Sequence, residues 1–320
     1  MIYNLHDDEM RHTLSFLPGG FAFAARMVCS RWAKLLSAGK TQSRLECYVC
    51  SVPLVLWASD NGCSLRGHER NLAGQLLIAL AARHGHIPVL EWARQIGNCF
   101  ENGHASLEAA MNGQIHVLDW LYDSDGPLHF ALTWSAARAG QIASLEWLQE
   151  HDIHCHCDDV DVCYTAAEQG HLHVLKWLKD NGWPCCEAKV SASCAMNGQL
   201  ECLQWLWDHG CRCDHKVCEL AAEHGHLEVL EWALHNGLPY MDNLCTRAAI
   251  WGELRVLMWL RERGHPWDED TFEKAIHSGN LPLLQWLKDN GCPWDVSECV
   301  GMARRMNHRD VLRWIKDVLV

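Results

Sequence analysis

A tryptophan recurs at a nearly constant interval through most of this 320-residue sequence. The series consists of Trp92, Trp120, Trp147, Trp177, Trp205, Trp232, Trp259, Trp286 and Trp314. Successive members are separated by 28, 27, 30, 28, 27, 27, 27 and 28 residues. We count positions in each repeat from its tryptophan, so that position −7 lies seven residues before it. A fixed period of this length is typical of proteins in which each repeat is one supersecondary unit.

Several other positions repeat in phase with the tryptophan. Position −7 is Gly in eight repeats, from Gly85 to Gly279, and Asn307 in the ninth, while position −2 is always Leu. A small pair, such as Ala166 and Ala167, occupies positions −11 and −10 in most repeats. Apolar residues at −5, −3, −2, 0 and +1 follow the period of an amphipathic helix. The pattern predicts two short helices per repeat, with the Gly or Asn between them in the left-handed conformation.

A repeat of this size cannot build a core alone. Burying one Trp removes roughly 150–250 Å² from water, which contributes on the order of 4–6 kcal/mol, and the ordering entropy of a repeat is several times larger. The repeats must therefore stack, with each tryptophan closing the seam to its neighbours, and we expect an all-α, curved solenoid over residues 76–320 with about nine units. The last unit is predicted to be a cap because polar residues replace apolar or Gly residues: Arg304, Arg305, Asn307, Arg309 and Asp310. Residues 41–75, with Trp57, are expected to form a degenerate repeat or linker.

Composition excludes several classes of partner. The net charge of −13 argues against a broad phosphate-binding surface, so we expect no nucleic-acid partner. The sequence has no run of about 18 apolar residues, and its start lacks the regions of a signal peptide. We therefore expect an intracellular, cytoplasmic protein without a membrane partner. In that reducing environment, most of the 18 Cys are predicted to be small buried apolar thiols.

Histidine and cysteine are abundant enough to suggest a metal site. The densest segment is His151–Cys163, but its alternating residues do not converge easily on one tetrahedron. The segment Cys47–Cys50 has the spacing of a zinc ligand pair but no second pair to complete the site. We expect no metal and no cofactor.

Position −6 carries a polar side chain in every repeat. It is His in several repeats, including His86, His171 and His226, and Gln, Glu or Asn in the others. A catalytic base would not tolerate Gln, so we expect a hydrogen-bonding role near the start of the second helix. No phosphate-binding loop, nucleophile elbow, zinc-protease or dinucleotide motif is present. We predict that the chain is not an enzyme.

The repeats resemble a known family. Residues 166–178 read Ala-Ala-Glu-Gln-Gly-His-Leu-His-Val-Leu-Lys-Trp-Leu, which is similar to the ankyrin phrase A-A-x-x-G-H-x-x-V-V-x-x-L. The period of 27 or 28 is shorter than the ankyrin period of about 33, and the T-P-L-H phrase is missing. The resemblance implies a protein-binding array of helix pairs with short or absent β-turn fingers.

The segment 1–40 contains a spaced set of residues: Leu5, Leu14, Leu17, Pro18, Val28, Cys29 and Trp32. At these positions the segment resembles an F-box, which docks onto the Skp-family adaptor of a cullin–RING ubiquitin ligase. The resemblance implies that these residues bind the adaptor, although His6 replaces the usual Pro. The alternative is a small helical cap on the first repeat. An F-box before such repeats is also similar to proteins of large DNA viruses, which implies the host cytoplasm.

Our leading hypothesis is a non-catalytic substrate-recognition subunit that links an unknown target protein to a cullin–RING ligase. The alternatives are a scaffold that binds or sequesters a partner without ubiquitin transfer, and a metal or redox sensor built on the Cys-rich turns. Candidate target anchors are Trp183, Trp267 and Trp294, which lie beside Pro in the turns and otherwise form a second packing seam. The negative charge favours a target with a basic patch.

Overall fold

The computed structural model describes residues 72–95, 103–126, 128–153 and 159–319. The chain forms two compact units, residues 1–156 and residues 157–320. The F-box-like segment, the repeat around Trp57 and the segment Cys47–Cys50 lie outside the described residues, and so do residues 154–158 of the His/Cys-rich segment.

Helices are the only regular elements in the described residues, which confirms the all-α prediction. The first unit contains α1 (Leu72–Arg83), α2 (Ile87–Gln95), α3 (His104–Met111), α4 (Ile115–Asp123), α5 (Leu132–Arg138) and α6 (Ile142–Glu150). The second contains α7 (Asp159–Glu168), α8 (Leu172–Asp180), α9 (Ala188–Met196), α10 (Leu200–Asp208), α11 (Lys216–Glu223), α12 (Leu227–His235), α13 (Leu244–Trp251), α14 (Leu254–Glu262), α15 (Glu269–Ser278), α16 (Leu281–Asp289), α17 (Val296–Arg305) and α18 (Arg309–Val318). Each repeat is one helix pair, as expected for an α-solenoid.

The second helix of each pair follows the apolar stripe that the sequence predicts. It begins at position −5 in every repeat and ends at +3 in all but the last. In α8 the side chains of Val174, Leu175 and Leu178 are fully buried. The buried face therefore consists mainly of positions −3, −2 and +1.

The turn at position −7 has the predicted left-handed backbone. Gly198 has φ 71°, and Asn307 has φ 57° at the equivalent position of the last repeat. A Cβ atom on Gly198 would also lie 2.6 Å from Nδ1 of His226 in the next repeat. Glycine is therefore required here for two reasons, the positive φ and the close approach of the neighbouring repeat.

First helices pack on first helices, and each second helix packs on the first helix of its own repeat. Consecutive first helices, such as α11, α13 and α15, lie in close contact, whereas consecutive second helices touch at few points. The small pairs at −11 and −10, such as Ala221–Ala222 and Ala248–Ala249, are fully buried and allow the first helices to approach. Within each unit, we call these packed first helices the first-helix layer.

The tryptophans lie at the seams between repeats, but most are not core residues. Trp147 is 3% exposed, whereas the other eight are half-buried. In two repeats the aromatic residue at position +2 contacts the next tryptophan: Tyr122 lies edge-to-face with Trp147 at 5.9 Å, and Trp207 lies edge-to-face with Trp232 at 6.3 Å. The indole N–H of Trp147 donates to Asp119 Oδ1 at 2.6 Å. Leu, Val and Ala fill most of the core, and the half-buried tryptophans lie beside it.

In several repeats position −6 makes the hydrogen bonds that the sequence predicts, and the partner is a carbonyl of the preceding repeat. His226 Nε2 bonds to Met196 O at 2.9 Å, and Gln114 Nε2 donates to Arg83 O at 3.0 Å. Both carbonyls belong to the last turn of the first helix in the preceding repeat, where carbonyl groups lack intrahelical partners. Asn280 also accepts from its own second helix, at Leu283 N. These side chains therefore couple neighbouring repeats.

Candidate protein-binding surface

The three tryptophans predicted as target anchors lie in turns that join consecutive repeats of the second unit. Trp183 lies between α8 and α9, Trp267 between α14 and α15, and Trp294 between α16 and α17. All three side chains are half-buried. Each ring therefore has an edge that the array leaves open to solvent.

Two of these rings also pack within the array. Trp267 lies edge-to-face with Trp286 at a centroid distance of 5.7 Å, and the Arg261 guanidinium carbon lies 4.0 Å from the Trp267 centroid. Trp294 stacks on Phe272 at 4.9 Å. These contacts support a second packing seam at Trp267 and Trp294. They also hold the open edges in fixed positions.

A third aromatic residue, Tyr240, belongs with Trp267 and Trp294, although it was not among the predicted anchors. Position +8 is Tyr240, Trp267 and Trp294 in three consecutive repeats, and this common offset from the repeated tryptophan is the signal that could have found Tyr240. The Tyr240 side chain is 44% exposed, and the neighbouring Met241 is 48% exposed. The Tyr240 ring lies 5.4 Å from the His265 ring in the next turn.

Consecutive turns of this region contact one another directly. Besides the pair Tyr240–His265, the Cys292 thiol donates to Asp268 O at 3.5 Å, which joins the turn of Trp294 to the turn of Trp267. We call the residues Tyr240, Met241, Trp267 and Trp294 the turn-aromatic row. The row is a surface of aromatic edges held by helix-pair packing, a composition that is common in protein interfaces.

A carboxylate directly follows each tryptophan of the row. Asp268 and Asp295 are the N-caps of α15 and α17, and Asp295 Oδ1 accepts from Ser297 N at 2.7 Å. These hydrogen bonds, first among them the one from the Ser297 side chain, lower the pKa of Asp295. The pKa of Glu273 is raised by desolvation and then by the nearby Glu298 and Asp270. Asp268 and Asp295 therefore place two carboxylates beside rings of the row, where they complement basic side chains of a partner.

The first-helix layer carries one buried charge cluster in the second unit. Arg247 on α13 bridges two glutamates of α11, with Nη1 at 2.7 Å from Glu223 Oε1 and Nη2 at 3.4 Å from Glu219 Oε2. Glu219 is only 7% exposed, and its Oε1 has no hydrogen-bond partner among the described residues. One cation thus holds two poorly solvated carboxylates, which makes this cluster structural.

Another exposed aromatic of the second unit, Trp251, lies away from the turn-aromatic row. Trp251 is the last residue of α13 and is 58% exposed. Its ring stacks on His224 at 5.6 Å, at the end of α13 opposite to the turn of Tyr240. It therefore does not extend the turn-aromatic row.

The described part of the chain contains no group of three or more His, Cys, Asp or Glu side chains placed to hold a metal ion. None of its helices has the length and apolar character to cross a membrane. Burial raises the pKa of several thiols, including Cys218 and Cys292, both to about 12. Of the described cysteines, all but Cys186 and Cys213 are buried, and this confirms the predicted packing role of most thiols. Cys186 and Cys211 depart from that prediction, because their sulfur atoms are bonded to each other.

Comparison with protein families supports the ankyrin resemblance over part of the array. The model of the family described as ankyrin repeats (many copies) matches residues 163–207. This segment runs from Cys163 in α7 to Trp207 in α10 and contains two helix pairs. A comparison with curated protein sequences gave no match. Residues 163–207 are therefore similar to ankyrin repeats, and the same helix-pair geometry recurs in the repeats on either side.

Proposed function

We propose that this chain is a non-catalytic protein-interaction subunit whose repeats hold a target protein. The ankyrin match on stacked helix pairs carries this proposal, since ankyrin repeats are protein-binding modules. The turn-aromatic row supplies rigid aromatic edges, and rigid rings bind with a small loss of side-chain entropy. The carboxylates of Asp268 and Asp295 favour a target that presents a basic patch.

The proposed second role is recruitment of the target to a ubiquitin ligase. The residues Leu5, Leu14, Leu17, Pro18, Val28, Cys29 and Trp32 carry the F-box resemblance. In this proposal they dock onto a Skp-family adaptor of a cullin–RING ligase in the cytoplasm, a host cytoplasm if the source is a virus. The chain would then act by proximity, because it brings the target to a ubiquitin-charged enzyme without chemistry of its own.

Co-purification with a Skp-type adaptor tests the recruitment role. The full chain should capture the adaptor, and Leu17→Asp or Trp32→Ala should abolish capture. Trp267→Ala serves as the matched control, because it removes one ring of the turn-aromatic row and should leave adaptor capture unchanged. The ligase role is ruled out if the wild-type chain captures no adaptor, or if Leu17→Asp and Trp32→Ala capture it as well as wild type.

The second candidate is a scaffold that binds or sequesters its partner without ubiquitin transfer. The family match favours it, because the match lies in the repeats alone. Under this hypothesis Tyr240→Ala and Trp267→Ala weaken target binding, while Leu17→Asp has no effect on the level of the target in cells. Under the ligase hypothesis Leu17→Asp raises the target level.

A further inference from the structure

Two consecutive cysteines in one turn of the second unit have opposite environments. Cys185 and Cys186 lie between α8 and α9. Cys185 is 1% exposed, and its sulfur lies 2.8 Å from the sulfur of Cys163 on α7. Cys186 is exposed, and its sulfur is bonded to that of Cys211 in the turn between α10 and α11. The turn therefore presents one thiol position to the core and the other to solvent.

The bond between Cys186 and Cys211 joins the turns of two consecutive repeats. Hydrogen bonds also link the two turns and the helix between them: Arg212 N donates to Cys186 O at 3.2 Å, and the Ser191 hydroxyl of α9 donates to Arg212 O at 2.8 Å. The two Cα atoms are 4.3 Å apart. Because neighbouring hydrogen bonds set this distance, the two thiols stay within reach of each other when the bond is broken.

Exposure distinguishes the roles of the two sulfurs. Cys186 is open to a small molecule in solution, whereas Cys211 is 5% exposed. Cys163 and Cys185 are 0% and 1% exposed, so an oxidant in solution reaches neither of them directly. A reagent from solution therefore reacts with Cys186 first, and Cys211 is close enough to react with the modified Cys186 sulfur.

We infer that Cys186 and Cys211 form a reversible oxidation site that staples two repeats, with a low-molecular-weight disulfide such as oxidised glutathione as its co-substrate. The Cys186 thiolate attacks the disulfide, which forms a mixed disulfide and releases one thiol. The Cys211 thiolate then attacks the Cys186 sulfur, which closes the protein disulfide and releases the second thiol. Two protein thiols are oxidised, and one glutathione disulfide is reduced to two glutathione molecules. Excess thiol reverses both steps. This site does not depend on the proposed function.

Thiol counting on the full chain tests the inference. The reduced protein is treated with oxidised glutathione, unreacted reagent is removed, and thiols are counted in denaturant. Compared with a mock treatment, wild type should lose two more thiols per chain, those of Cys186 and Cys211. Dithiothreitol should restore both thiols. The control Cys213→Ser changes a half-buried cysteine of the same turn as Cys211, and it should keep the full loss. In Cys186→Ser the pair can no longer close, so its two-thiol loss should disappear.

A second readout keeps the test independent of the variants' folding. In native wild type, the Cys186 peptide should be alkylated quickly after reduction and not after oxidation, as measured by mass spectrometry. Oxidation should also raise the urea midpoint of wild type and of Cys213→Ser, with no rise for Cys186→Ser. The inference is overturned if Cys186 stays open to alkylation after oxidation, or if Cys186→Ser loses as many thiols as wild type.

Discussion

Replacing Arg247 with Met should destabilise the second unit more than the loss of a surface cation would. Arg247 binds Glu223 at 2.7 Å and Glu219 at 3.4 Å across the interface between α11 and α13. The side chains of these glutamates are 13% and 9% exposed. Met preserves much of the side-chain volume but leaves both carboxylates without their cation. Their desolvation is then no longer offset by the ion pair.

The expected magnitude follows from the burial of the three groups. Removing one partner of a fully buried ion pair costs about 3–5 kcal/mol. The Arg247 side chain is 37% exposed, so water screens part of the interaction and the estimate falls to roughly 1.5–3 kcal/mol. With a urea m-value of about 2 kcal/mol/M, the unfolding midpoint should fall by roughly 1 M.

Urea unfolding followed by tryptophan fluorescence and far-UV circular dichroism measures this change. Arg255→Met is the matched control, because Arg255 is an exposed residue of α14, and its midpoint should move by a few tenths molar at most. Adding Glu219→Gln to Arg247→Met should recover part of the loss, since one uncompensated charge is removed. If Arg247→Met matches Arg255→Met, or the second substitution deepens the loss, the reasoning about this cluster is refuted.

Three further predictions concern the repeat itself. Gly198→Ala should cost more stability than Gly210→Ala: both glycines have φ 71°, but only Gly198 is approached by the next repeat, so the difference in urea midpoint isolates the contact with His226. His226→Ala should cost about 1 kcal/mol because a helix-end carbonyl loses its donor, whereas His226→Gln should retain most of the stability; equal losses would refute the inter-repeat bond. Burial raises the pKa of Cys218 and of Cys299 to about 12 from an ordinary value of 9.0, so the unfolded thiols ionise first and stability should fall as pH rises from about 9 towards 12; an unchanged urea midpoint between pH 8 and pH 10.5 would contradict this.

The sequence was sufficient for the local structure because local structure depends on local rules. The apolar stripe from −5 to +1 predicts the second helix, and the structure places that helix from −5 to +3. The backbone at position −7 was also predictable, since Gly and Asn are the residues that adopt positive φ at little cost, as Gly198 and Asn307 do. The need to stack follows from the small size of one repeat.

Tertiary structure alone decided which groups meet across repeats. The period shows that a polar residue occupies position −6, but only the offset between stacked repeats sends His226 to Met196 O instead of to its own helix. The same offset brings Trp207 against Trp232, and most of the repeated tryptophans stay half-buried. It also brings Tyr240, Trp267 and Trp294 into consecutive, touching turns. A periodic sequence specifies which residues are equivalent, whereas the distance and rotation from one repeat to the next depend on packing between helices, and these determine which equivalent residues come into contact.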